Sequence, residues 1–258
     1  MIEYDGFRVE RDDTRGVATI TLDVPGKLNR VSLAARGQLA AAFGELGADE
    51  AVRAVVMTGA DGTFTAGGDI ASFLTAPVDE MSSLAFNVAA PERCPKPVIA
   101  RIESYCLGVG FELALACDFR VCSDDAQLGL PEIGLGMIPG SGGTQRLARL
   151  VGLSRAKDVI MRRKRIRAVD ALAWGLVSEV VPAGELDAAV DRVVDELSAL
   201  SPVALAMAKR VLNQVYDSPL HVGLELEGLA YGVLKSTDDF REGVEAFVEK
   251  RPPEFHGR

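Results

Sequence analysis

Apolar residues along the chain follow two different periods, and the changes between them outline the elements. Val17–Leu22 alternates and is β-branched, and across the Asp12-Asp13 turn it faces Phe7–Glu10 as the second arm of a predicted hairpin. From Ser32 to Gly47 the spacing of Leu33, Leu39, Phe43 and Leu46 is helical, with Ser32 as the cap and Gly47 as the stop. Ala54–Thr58 reads as the next strand and runs into the Gly-rich stretch Gly59–Gly68. The unit then repeats as a helix around Glu80–Ala90, strand Pro97–Ile102, a Gly-rich turn, helix Phe111–Cys117, strand Phe119–Cys122 and later strand Leu176–Val181. Alternation of this kind predicts an α/β fold.

After Pro182 the strand signal ends. Helical periodicity runs through Glu185–Leu200, Pro202–Tyr216, Leu220–Lys235 and Asp238–Lys250, with Ser201-Pro202 and Ser236-Thr237 as helix starts. The expected division is an α/β part over residues 1–195 and a helical part over residues 196–258.

Composition narrows the functional classes. The 258 residues carry 28 basic and 37 acidic side chains, a net charge of −9, which opposes a phosphate backbone as the main partner. No run approaches the length of a membrane span, and the charged N-terminal stretch lacks the layout of a secretory signal, so a cytoplasmic protein is expected. Cys94, Cys106, Cys117 and Cys122 form no CxxC pattern, and His221 and His256 lie near the end of the chain; neither zinc binding nor a Ser-His-Asp nucleophile is supported. GxGxxG, GxxxxGK[ST] and GxSxG are all absent.

Two carboxylates stand among apolar neighbours: Glu112 within Phe111–Ala116, and Glu132 within Leu130–Ile133. Burial would raise their pKa values toward those useful for proton transfer. A helix-dipole role for Glu112 and a salt bridge for Glu132 are the alternatives. Gly67-Gly68, Gly108 and Gly140–Gly143 stand where strands give way to loops or helices, positions at which backbone N–H groups can face an anion or form plain tight turns.

The ordered set Phe64–Ile70 (FTAGGDI), Lys96–Ala100, Leu107–Ala114 (LGVGFELA), Leu130–Gly136 (LPEIGLG) and Pro139–Leu147 (PGSGGTQRL) resembles the crotonase, or enoyl-CoA hydratase/isomerase, superfamily over nearly the whole chain. The resemblance implies a crotonase-like spiral of ββα units followed by an α-helical C-terminal trimerisation region, and hence a homotrimer or a hexamer built as a dimer of trimers. It also implies an acyl-CoA thioester as substrate, with no metal and no cofactor beyond the coenzyme A of the substrate, no nucleic acid and no membrane.

By motif, the backbone N–H groups of Ala66 and Val109 would form the oxyanion hole. Glu112 and Glu132 would add water across a trans-2-enoyl-CoA double bond to give a 3-hydroxyacyl-CoA. Substrate contacts would come from Lys27, Leu28, Arg30, Ala66, Gly68, Asp69, Ile70, Gly108, Pro131, Ile138 and Gly140, with Phe247 and Lys250 near the adenine end of CoA. Apolar Phe73, Leu74 and Ile138 imply a nonpolar acyl chain. The alternatives within the family are an isomerase or acyl-CoA hydrolase, and beyond catalysis an RNA-binding or structural homologue, to which the basic run Arg162–Arg167 would belong. The stripe of Leu224, Leu226, Leu229, Tyr231 and Leu234 is expected to pack in the trimer or the core.

Overall fold

A computed structural model describes residues 1–258. Ten strands form two sheets: β1 (Ile2–Tyr4), β2 (Phe7–Asp12), β3 (Val17–Leu22), β4 (Ala54–Gly59), β5 (Val98–Ile102), β6 (Tyr105–Leu107), β7 (Phe119–Ser123), β8 (Gln127–Gly129), β9 (Ile166–Arg167) and β10 (Glu179–Val181). The large sheet has the order β1-β2-β3-β4-β5-β7-β10 and the small one β6-β8-β9. The predicted hairpin is present, with Val9 opposite Ile20, and β3, β4, β5, β7 and β10 continue the sheet in parallel. Successive spiral turns place one strand in the large sheet and the next in the small sheet before a helix follows, as in β5, β6 and helix Val109–Ala116.

The period of two along each strand sorts side chains between two cores. Val55 and Met57 of β4 join the main cluster, while Ala54 and Val56 point the other way, together with Val17, Ile99 and Val121. That second face is covered by helix Leu186–Ser198 through Leu186, Ala189, Val190 and Val194. Residue 195, the boundary expected from sequence, therefore lies inside a helix that packs on the sheet. The helices that leave the core begin at Pro202, after Ser201 caps by accepting the Ala204 N–H.

Helix Leu33–Ala48 starts as predicted, with Ser32 Oγ accepting the Ala35 N–H at 3.0 Å. Gly47 lies within it rather than ending it; a Cβ there would meet Pro95 at 2.8 Å, so close packing explains the glycine. The single helix expected around Glu80–Ala90 is three short ones, Val78–Ser82, Leu84–Val88 and Ala90–Arg93. Ser82 and Ser83 donate their hydroxyls to the Val78 and Glu80 carbonyls at this break, where local side-chain bonds compete with helix continuation. The strand expected at Leu176–Val181 is shorter, since Leu176 and Val177 are buried in the core before β10 begins.

Helices Pro202–Leu212 and Leu220–Leu234 bury no residue fully within the single chain. Leu224, Leu229 and Tyr231 are more than half exposed, so the stripe does not pack into this chain's core. Lys209 ties the first of these helices to the core through a 2.6 Å ion pair with Asp118. No helix is long and apolar enough to cross a membrane.

Candidate active site

Helix Val109–Ala116 is buried along all of its length. It begins after Gly108, whose φ of 55° and ψ of −130° suit glycine, and a Cβ on Gly108 would stand 3.2 Å from Glu132 Oε1. Gly110 lets the start of the helix press on the Thr65 side chain, so the Thr65–Gly68 segment lies against the helix N-terminus.

The turn at Phe64–Asp69 spends almost all of its N–H groups. Phe64 donates to Glu103 O, Thr65 to Tyr105 O, Ala66 to Leu28 O, Gly67 to Thr65 Oγ1 and Asp69 to Val31 O. Gly68 alone in this run keeps its N–H free of a protein acceptor. Val109, at the first position of its helix, also has no acceptor, as expected of a helix N-terminus. Both residues line one cleft of about 240 Å³. The donor pair is therefore Gly68 and Val109. Ala66, expected from motif to donate, is committed to Leu28 at 2.9 Å, because the chain around Leu28 crosses over this turn. Motif matching could not show which of several adjacent N–H groups that crossing consumes.

Glu112 is 2% exposed, and its Oε1 accepts the N–H groups of Ser141 at 2.7 Å and Gly143 at 2.9 Å. Burial raises its pKa, and the two N–H donors together with nearby Arg36 act against that rise. Glu132 opens the 3₁₀ turn Glu132–Leu135, and its buried Oε2 has no hydrogen-bond partner. Burial, reinforced by the Glu112 charge, pushes its pKa up to about 7. The two carboxyls, on different elements, face the same cleft. Neither makes a salt bridge, and Glu112, in the first turn of its helix, is also held through Oε1 by the loop at Ser141–Gly143.

Of the other residues expected at the site, Ala66, Gly68, Ile70, Phe73, Gly108, Pro131, Ile138 and Gly140 line the cleft. Lys27, Leu28 and Arg30 lie on an exposed loop outside its wall. The Leu28 carbonyl accepts the Ala66 N–H. Asp69 precedes the 3₁₀ helix Ile70–Leu74 and does not line the cleft. Leu74 is 91% exposed and outside the wall. Phe247 and Lys250 are exposed on and just after helix Asp238–Glu249, away from the cleft lining of the single chain. Part of the basic run is paired within the chain: Arg162 and Lys164 bind Asp158, Arg167 binds Asp170, and Arg165 donates to Gln127.

Arg36 is the lining residue that sequence reasoning passed over. It is 3% exposed and shares a helix face with Leu39 and Phe43, and that signal, a charge at an apolar-face spacing, was readable. A larger cavity of about 420 Å³ beneath helix Pro202–Leu212 holds the satisfied Lys209–Asp118 pair and no unpartnered acid; the smaller cleft is where unsatisfied groups converge.

Comparisons with known proteins show the family of the chain. A family model described as enoyl-CoA hydratase/isomerase matches residues 12–258. The short-chain-enoyl-CoA hydratase of Clostridium acetobutylicum is 36% identical, over 91% of this chain and 92% of that protein. The crystal structure of an enoyl-CoA hydratase from Bacillus anthracis superposes with a TM-score of 0.91 at 36% identity, covering 98% of this chain and 100% of that one. One from Mycobacterium smegmatis gives 0.91 at 31% identity, over 97% and 99% of the two chains.

Proposed function

The chain belongs to the enoyl-CoA hydratase/isomerase family, and from that premise we propose that it reversibly adds water to a trans-2-enoyl-CoA to give a 3-hydroxyacyl-CoA. The observation that carries this reading is the pair of buried carboxyls, unlike in environment, set in one cleft beside two unspent backbone donors. The thioester oxygen accepts from the N–H groups of Gly68 and Val109. As water attacks C3, negative charge moves onto that oxygen, where donors already in position stabilise it; a single such donor is typically worth roughly 10²–10³ in rate.

Glu112, its carboxylate steadied by two N–H bonds, takes the proton from the attacking water. Glu132, which holds a proton up to about pH 7, delivers it to C2 as the enolate collapses. One proton leaves water, one reaches carbon, and no redox step occurs, so the chemistry calls for no cofactor beyond the coenzyme A of the substrate. An isomerase needs only one base to shuttle a proton. The second buried acid, held ready at the same cleft, favours hydration.

The exposed apolar residues of helix Leu220–Leu234 support assembly into a homotrimer, alone or paired as a hexamer, which would cover that face. Assembly would also allow Phe247 and Lys250 to act at the CoA of a neighbouring subunit.

The test is turnover of crotonyl-CoA by the purified protein, followed as loss of the conjugated thioester absorbance with identification of the product. Formation of 3-hydroxybutyryl-CoA is expected. Migration of a 3-enoyl double bond without uptake of water, or release of free CoA, would move the assignment to an isomerase or a hydrolase.

A further inference from the structure

Arg36 is a cation with unused donors in the wall of the cleft. Among the lining residues it is the only basic one, and the other ionisable groups there are Glu112 and Glu132. Its guanidinium hydrogen-bonds neither glutamate. Nη1 donates to Ser141 Oγ at 3.3 Å, and that is the only hydrogen bond the side chain makes. Nε is buried with no partner. Phe73, also lining the cleft, lies 5.3 Å from the guanidinium carbon and takes up a face of the group. The Nε/Nη2 edge, the fork that binds a carboxylate through two parallel hydrogen bonds, is left unspent. Space for that edge depends on Gly68, because a Cβ there would lie 3.0 Å from Nη2. A buried guanidinium with open donors is costly unless an anion meets it.

We propose that Arg36 binds a second carboxylate on the acyl group, so that the preferred substrate is an enoyl-CoA derived from a dicarboxylic acid. This departs from the nonpolar acyl chain that Phe73, Leu74 and Ile138 imply in the sequence. Phe73 and Ile138, which line the cleft, contact the chain, and Arg36 reads its end. The proposal rests on the hydratase reading for the position of the double bond. A counter-ion role toward Glu112, through the Ser141 link, would act equally on every enoyl-CoA; selectivity between substrates separates the two roles.

The experiment compares two substrates of equal length, the mono-CoA thioester of trans-2-pentenedioic acid and trans-2-pentenoyl-CoA. They differ in a terminal carboxylate against a methyl group. Wild type is expected to favour the acidic substrate in kcat/KM by at least roughly tenfold. Arg36→Met is expected to lose that preference, and Arg36→Lys, which keeps the charge without the fork, to retain only part of it, with thermal unfolding used to confirm folded variants. Binding of the saturated analogues glutaryl-CoA and pentanoyl-CoA, measured by calorimetry, gives a readout independent of turnover. A glutaryl-CoA preference that Arg36→Met abolishes, without hydration of either enoyl-CoA, would leave this inference standing and overturn the hydratase reading. Hydration of both substrates without preference, or an equal loss on both in Arg36→Met, would overturn the inference.

Discussion

On one wall of the cleft Glu112 is carried by a helix buried at every residue and accepts two backbone N–H groups, whereas on the other Glu132 opens a short turn with no fully buried residue and leaves Oε2 without a partner. The residue type is the same and the surroundings are opposite. At Glu112 two N–H bonds from a distant loop act against the desolvation, whereas at Glu132 the opposing bond comes from its own main chain and the Glu112 charge adds to the rise. Burial raises both carboxyls, and Glu132, with an unpartnered oxygen, is the one placed to hold a proton near neutral pH.

The largest effect should come from removing either group. Glu112→Gln and Glu132→Gln are each expected to lower kcat by roughly 10²–10⁴. The variants should differ in pH dependence. In wild type, kcat/KM for hydration should fall as pH rises past about 7, where Glu132 gives up its proton. That alkaline limb should disappear from the residual activity of Glu132→Gln and persist in Glu112→Gln. An unmoved limb in Glu132→Gln would break the comparison.

Next in size is the anchoring of the Glu112 wall. Arg120 is buried and donates to the Leu176, Ala114 and Cys117 carbonyls, closing the C-terminal end of the helix that carries Glu112. Arg120→Met strands those carbonyls and should destabilise the fold by about 3 kcal/mol or more, read from the denaturant midpoint.

The Glu132 wall makes the opposite stability prediction. The folded protein keeps a proton on Glu132 to about pH 7, while an unfolded glutamate releases it near 4.5, so folded-state stability drops as pH rises between those values and stays reduced above them. Glu132→Gln removes that loss. Its stability should match wild type near pH 4 and exceed it at pH 8 by on the order of 1–3 kcal/mol, measured by denaturation at both values.

Ser141→Ala should have the smallest effect. Glu112 is held by the Ser141 main-chain N–H, which the substitution keeps; the hydroxyl adds the smallest of the bonds toward the Glu112 carboxylate and a long 3.3 Å contact from Arg36, so crotonyl-CoA turnover should change by a few-fold at most. A loss comparable to that of Glu112→Gln would mean that the Arg36–Ser141 contact itself sets the geometry of this wall.

Local signals were readable where the physics is local. Ser32, Ser201 and Thr237 each accept the N–H three residues on, as their positions predicted. Ala54–Thr58 was readable as a strand, and β4 occupies that stretch. The single helix around Glu80–Ala90 failed because serine hydroxyls compete with the helix at Ser82-Ser83. The small sheet was not seen at all, since strands of two or three residues such as β6, β8 and β9 are too short to show a period.

Order and chemistry of the motifs, read along the chain, were enough to determine the family and the α/β spiral, and they singled out two acids that the fold brings to one cleft. Three things only the folded chain decided. The free backbone N–H beside that of Val109 is Gly68's and not Ala66's, because the Leu28 carbonyl claims the Ala66 N–H from a segment distant in sequence. The different surroundings of Glu112 and Glu132 follow from which backbone N–H groups reach each carboxyl, and those at Glu112 come from Ser141 and Gly143, far along the chain. Arg36 enters the cleft only because helix Leu33–Ala48 and Gly68 are brought together, leaving a guanidinium edge where a side chain at position 68 would otherwise stand. Each depends on contacts between segments far apart in the chain, and a one-dimensional pattern does not encode which N–H, which carbonyl and which empty Cβ position will meet.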